Sequence, residues 1–130
     1  VNVGTAISMY ASSGIVSATS FYGDGSNLSN VQRLDVTSKS GSYTLTASDA
    51  GTAIYTTGSV TFPDSVFTAG DIITVINNSG SNITLTEGSG VTMYNAGDAS
   101  TGSLTLAGRG MATLLYVTSS IVYGSGAGVS

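Results

Sequence analysis

Apolar and polar residues alternate along much of the chain, and the alternation becomes regular after residue 42. In "SYTLT" (42–46) it places Tyr43 and Leu45 on one face of a strand. "SDAG" (48–51) is turn chemistry, because Asp and Gly satisfy or relax the local backbone. "TAIYT" (52–56) and "SVTF" (59–62) predict two more short strands, the second ended by Pro63, which has no N–H to give a ladder. "DIITVIN" (71–77) is apolar on both faces, which predicts a central strand. "NSGS" (78–81) then joins it to "NITLT" (82–86) as a hairpin with a four-residue loop. "EGSG" (87–90) is a turn before "VTMYN" (91–95), and "AGDASTGS" (96–103) is the longest polar loop. "LTL" (104–106), "MATLLYV" (111–117, again apolar on both faces) and "IVYG" (121–124) complete the pattern. Short strands punctuated at about 8–12 residues, with no helix longer than a turn, predict an all-β fold, an antiparallel β-sandwich or jelly roll.

Upstream, the pattern is sparser. "AISMY" (6–10) and "ATSFY" (18–22) echo each other as Ala-x-Ser-[Met/Phe]-Tyr, each followed by glycine punctuation. This predicts short, similar strands in an extended β stalk over residues 1–32. Residues 33–41 form an expected junction, in which Arg33, Asp35 and Lys39 concentrate charge. Residues 42–130 form the expected head domain. Ile7, Met9, Ile15, Val16, Phe21, Leu28 and Val31 are too many apolar side chains for so short a segment to bury by itself. Winding three chains about one axis would cover them and would also remove sheet edges, so these seven are the candidate oligomerisation residues of a homotrimer.

Composition narrows the function. Only 8% of the 130 residues are charged, while 41% are hydrophobic and Ser and Thr together number 40. Disorder normally goes with low hydrophobicity and high net charge, which this chain lacks. Its formal net charge is −4, with Arg33, Lys39 and Arg109 the only cations. Nucleic-acid binding needs a basic patch and is not expected. No apolar run is long enough for a helical membrane span, and no basic-then-apolar leader is present. The chain begins at Val1 rather than Met, so it is expected to be processed or part of something longer.

The residue types of common catalytic sites are thin. There is no His and no Cys, which removes the commonest general base, metal ligand and thiolate. Two of the seven carboxylates could in principle serve a glycosidase. Most lie beside Gly or Ser in turns, where Asp caps its own backbone. "GDGSN" (23–27) has one carboxylate where a calcium loop needs several oxygen ligands, so Asp24 reads as a turn residue. No enzyme activity, cofactor or metal is expected. Tyr55, Tyr94, Asn95 and Asp98 lie at strand ends or beside the long polar loop, and are the candidates for binding a glycan.

Two stretches resemble a known family. "ASSGIVSATSFYGDGSNLSNV" (11–31) resembles a run, G-[IV]-[IV]-S-A-T-S-F-x-G-D-G-S-x-L, in fibre and tail-associated proteins of tailed bacteriophages, notably those of marine bacteria and cyanobacteria. "SYTLTASDAGTAIYT", "FTAGDIITVINNSGSNITLT", "GVTM" and "GSLTLAGRGMATLLYV…VYGSGAGVS" are similar, in that order, to a β module near the C-terminus of phage virion proteins. The resemblance implies a structural virion component, a tail-fibre, head-fibre or decoration protein, often trimeric, at the surface of the extracellular particle. Its partners would be other virion proteins of capsid, neck or tail. A host-receptor or glycan-binding fibre tip is the alternative. The resemblance brings no catalytic or ligand residues with it.

Overall fold

The structure, a computed structural model, describes Ile7–Tyr10, Ile15–Ala18 and Leu34–Ser130. The chain divides into two compact units, Val1–Arg33 and Leu34–Ser130. In the first, β1 (Ile7–Tyr10) and β2 (Ile15–Ala18) form an antiparallel pair, with Ile7 opposite Ala18 and Met9 opposite Val16. Ile7, Met9, Ile15 and Val16 lie on this pair. Phe21, Leu28 and Val31 lie outside the described residues, as do residues 19–22 of the second echo.

The second unit is all-β. Its strands are β3 (Val36–Lys39), β4 (Tyr43–Thr44), β5 (Ala53–Thr56), β6 (Val60–Phe62), β7 (Ile72–Asn77), β8 (Ile83–Glu87), β9 (Thr92–Asn95), β10 (Leu104–Tyr116) and β11 (Ile121–Val129). A single 3-10 turn, Ala47–Asp49, interrupts them. β3, which falls in the expected junction, is part of the sheet.

The connections make a coil. β3, β5 and β7 stack in parallel as one limb, Val36 beside Ala53 and Ala53 beside Thr74. β4, β6 and β8 stack in parallel as the other, Tyr43 beside Val60 and Val60 beside Leu85. The chain crosses between limbs at every step, so each turn lies on the one before. β10 ends this progression. Its start, Leu104 to Leu106, runs antiparallel to β8, and Met111 to Leu115 run antiparallel to β7. An irregularity between Leu106 and Met111 lets one strand serve both limbs. The result is one nine-stranded sheet folded on itself into a nearly closed, barrel-like form, with β11 antiparallel to β10 and parallel to β9.

Antiparallel pairing was expected throughout; among the described residues the antiparallel ladders are the β1–β2 pair and the three ladders of β10, and the other five ladders are parallel. The hairpin expected at residues 78–81 is instead a corner. β7 pairs with β5 and β10, and β8 with β6 and β10. The physical cause is the side chain of Asn77, which is buried. Its amide nitrogen reaches the carbonyls of Ser81 at 2.8 Å, Ala107 at 2.9 Å and Leu106 at 3.2 Å. Its oxygen accepts from the Ser79 N–H and hydroxyl. The corner is thus tied to β10, and the turn residues do not draw β7 and β8 together.

Inward positions of both limbs share one core. Ile54, Ile73 and Val75 meet Val60, Phe62, Ile83 and Leu85, and Leu106, Leu114 and Tyr116 of β10 close it. Each such buried side chain contributes about 1.5–3 kcal/mol relative to exposure. Tyr116 lies in the core, with its ring 4.8 Å from Phe67 and 6.5 Å from Phe62. Its hydroxyl donates to the Pro63 carbonyl at 3.0 Å.

Burial and, secondarily, the charge of Asp64 push the Tyr116 hydroxyl well above its ordinary pKa of 10.0. The folded state therefore holds this proton more tightly than the unfolded chain does. Its contribution to stability is complete below about pH 10 and is lost as pH rises from there toward the folded value. Urea midpoints measured from pH 8 to 11.5 are expected to fall more steeply above pH 10 for the native chain than for Tyr116→Phe.

Candidate functional site

Two places collect the polar and aromatic groups singled out from the sequence. The first is a shallow groove of about 460 Å³, lined by Ser38, Lys39, Ser40, Tyr55, Thr57 and Asn78. The ends of β3 and β5 and the corner after β7 supply these residues. The Lys39 ammonium lies 4.0 Å from the centre of the Tyr43 ring, a cation–π contact. Asn78 Oδ1 accepts from the Arg109 guanidinium at 2.7 Å. Arg109 has a left-handed backbone, φ 62°, in the irregular part of β10, and its N–H donates to the Ser79 carbonyl. Two of the three cations are thus brought to this corner.

The second place is the loop after β9. Tyr94 stacks on Tyr123 of β11, with centroids 5.0 Å apart and ring planes 19° apart. Asn95 is buried. Its oxygen accepts from the Gly97 N–H, and its amide reaches Asp98 Oδ2 at 3.3 Å. Asp98 Oδ1 accepts from the Ser100 hydroxyl at 2.6 Å and from its N–H at 2.9 Å. These two bonds, the hydroxyl first, hold the Asp98 carboxyl below its ordinary pKa. Asn95 and Asp98 thus bond within their own loop.

Tyr94, Asn95 and Asp98 come together, but Tyr55 does not join them. β5 and β9 are separated by β7, β10 and β11. Four inter-strand steps of about 4.8 Å, roughly 19 Å along the curved sheet, lie between them.

Other carboxylates serve as backbone caps. Asp49 Oδ2 accepts from the Thr46 N–H at 2.7 Å, the Thr46 hydroxyl at 2.9 Å and the Tyr43 hydroxyl at 2.9 Å. Asp71 Oδ2 repeats the arrangement with the N–H and hydroxyl of Thr68. Glu87 Oε1 accepts from the Met93 N–H at 2.6 Å. Among the described residues, no three carboxylates gather where they could hold a metal ion. The sequence reading did not connect the two caps. The signal was there, because "TASD" (46–49) and "TAGD" (68–71) are one motif used at equivalent corners of the coil.

No family model, curated protein or solved structure matches the chain.

Proposed function

We propose that this chain is a non-enzymatic structural component of a tailed-bacteriophage virion, a homotrimeric fibre-like or decoration protein that projects from the particle. The resemblance of residues 11–31 to phage fibre segments supplies the family. The observation that carries the structural role is how the head uses its polar groups. Asp49, Asp71, Glu87 and Asp98 hold backbone N–H groups at corners and loops. That is the chemistry of a self-supporting coil. A surface built on Ser, Thr and backbone, with three cations in the whole chain, also offers trypsin-like proteases few sites.

Two measurements test the reading. Light scattering of the full chain should give three times the 12.9 kDa of one chain; a stable monomer would remove the trimer. Gold-labelled antibody raised against the protein should decorate projections on intact particles. Label confined to particle-free lysate would remove the virion assignment.

A further inference from the structure

The corners of the coil fall at two ends, and charge is divided between them. Asp35 precedes β3, Asp49 precedes β5 and Asp71 precedes β7, while Asp64 and Glu87 lie where β6 and β8 finish. Tyr116 bonds both the Asp71 and the Pro63 carbonyls, which places these corners at one end. At the other end, the corners after β3, β5 and β7 are built from Ser, Thr, Asn and Gly, with no carboxylate. Lys39 finishes β3 here, and Arg109 bonds the Ser79 carbonyl and the Asn78 side chain. Five or more residues of strand separate Ser40 and Asn78 from Asp35 and Asp71, about 16 Å or more. Screening at physiological salt acts over about 8 Å. The formal net charge of −4 therefore does not govern this end.

The groove of about 460 Å³ lies at this carboxylate-free end, and its volume is in the range of small-molecule sites. Among the described residues, the Ser38, Ser40 and Tyr55 hydroxyls and the Asn78 amide nitrogen have no hydrogen-bond partner. The Asn78 oxygen is held by Arg109, so its nitrogen is left to donate elsewhere. Arg109 itself is exposed and spends one guanidinium N–H of five on that amide. Its backbone is left-handed, φ 62°, a conformation that only glycine adopts without steric cost. Glycines stand on either side of it. A Cβ at Gly108 would meet the Gly80 carbonyl at 2.6 Å, and one at Gly110 the Ala107 oxygen at 2.8 Å. The position whose conformation asks for glycine carries arginine instead. Backbone strain held in this way clusters at functional sites.

We infer that this groove binds an acidic saccharide, a chain bearing uronate carboxylates, with Arg109 as the group that selects the charge. The planar guanidinium matches a carboxylate with two parallel hydrogen bonds, and its remaining donors leave it free to make them. Hydroxyls both donate and accept, so Ser38 and Ser40 can pair with sugar hydroxyls in either sense, and the Asn78 amide adds a donor. Tyr55 brings an aromatic ring with a polar tip, able to lie against the apolar face of a sugar ring. The proposal goes beyond the structural role and depends neither on the virion assignment nor on the trimer.

The test is calorimetric titration of the full chain with tetragalacturonate, against neutral maltotetraose and the acidic peptide tetraglutamate. The native chain should bind the uronate at least about tenfold more tightly than either of the others. Arg109→Gly should weaken uronate binding by about tenfold or more. Glycine suits the left-handed backbone, so this variant should unfold at the same urea concentration as the native chain or a higher one. Asn82→Ala, at an exposed position of the same corner, should bind like the native chain. No uronate binding by the native chain overturns the proposal, as does binding that Arg109→Gly leaves unchanged. Equal affinity for maltotetraose removes the charge selection, and equal affinity for tetraglutamate removes the saccharide; either result overturns it. If Arg109→Gly fails to fold, nuclear magnetic resonance of the native chain decides. Tetragalacturonate should shift the Asn78 side-chain amide and the backbone amides of Ser38, Ser40 and Thr57. Shifts centred instead on Asn95 and Asp98 overturn the groove as the site.

Discussion

Gly58→Ala is expected to lower the stability of the head by about 3 kcal/mol, at the upper end of overpacking costs. A methyl group at this position would fall on the backbone of Gly41 and on the amide nitrogen of Ser42. The corner after β5 lies on the corner after β3, and no side chain stands between them to rotate away. The N–H of Gly58 also donates to the Thr56 hydroxyl, which lies 3.2 Å from the Gly41 carbonyl, so a shift of either corner disturbs that contact as well. The measurement is urea unfolding of the full chain at one fixed protein concentration, because association would shift the midpoint. Gly80→Ala is the matched control. It has open space around its added methyl and should change stability by less than about 0.5 kcal/mol. Equal midpoints for the two variants would show that the stacked corners do not matter.

Asn77→Ala should cost about as much by a different route. The substitution leaves the carbonyls of Ser81, Leu106 and Ala107 without the amide donor and the Ser79 N–H without its acceptor. Each buried group left unpaired costs about 1–3 kcal/mol, partly relieved where water can enter. A net loss of about 3 kcal/mol is expected in the same urea experiment. Asn77→Asp should be no better, since a carboxylate cannot donate to the three carbonyls and would face their lone pairs. Asn82→Ala, at an exposed position of the same corner, should be nearly silent. A small effect at Asn77 would mean that the corner is held by strand pairing alone.

Much of the local structure was legible. "DIITVIN" became the central strand β7, and "MATLLYV" became most of the second half of β10, between β7 and β11. A repeat that announces the coil was also present but was not recognised. "GSYTL" (41–45), "GSVTF" (58–62), "GSNITL" (80–85) and "GSLTL" (102–106) open β4, β6, β8 and β10. Four copies of one strand start, with two Thr-Ala-x-Asp corners between them, describe a chain returning repeatedly to the same limb. Attention to turn residues alone made a hairpin of residues 78–81, because Asn, Ser and Gly favour a tight turn whatever the next strand pairs with. The grouping of Tyr94 with Asn95 and Asp98 was legible because all three belong to one loop. The distance of Tyr55 from them was not, since it depends on three intervening strands.

What the amino-acid sequence determined by itself is the all-β class, the placement of most strands, the scarcity of charge and the apolar face of those strands that alternate. All of these follow from composition or from a side-chain period of two, which is a local property of extended backbone. Tertiary structure decided which strands are neighbours, that most of them run parallel, and that β10 joins the two limbs. It also decided that an apolar row on β7 and β10 faces outward. Those outcomes depend on contacts distant in the chain: the Asn77 amide with the carbonyls of residues 106 and 107, and the space at Gly58 that Gly41 fills. Alternation says that a strand has an apolar face; only the assembled sheet shows whether anything covers it.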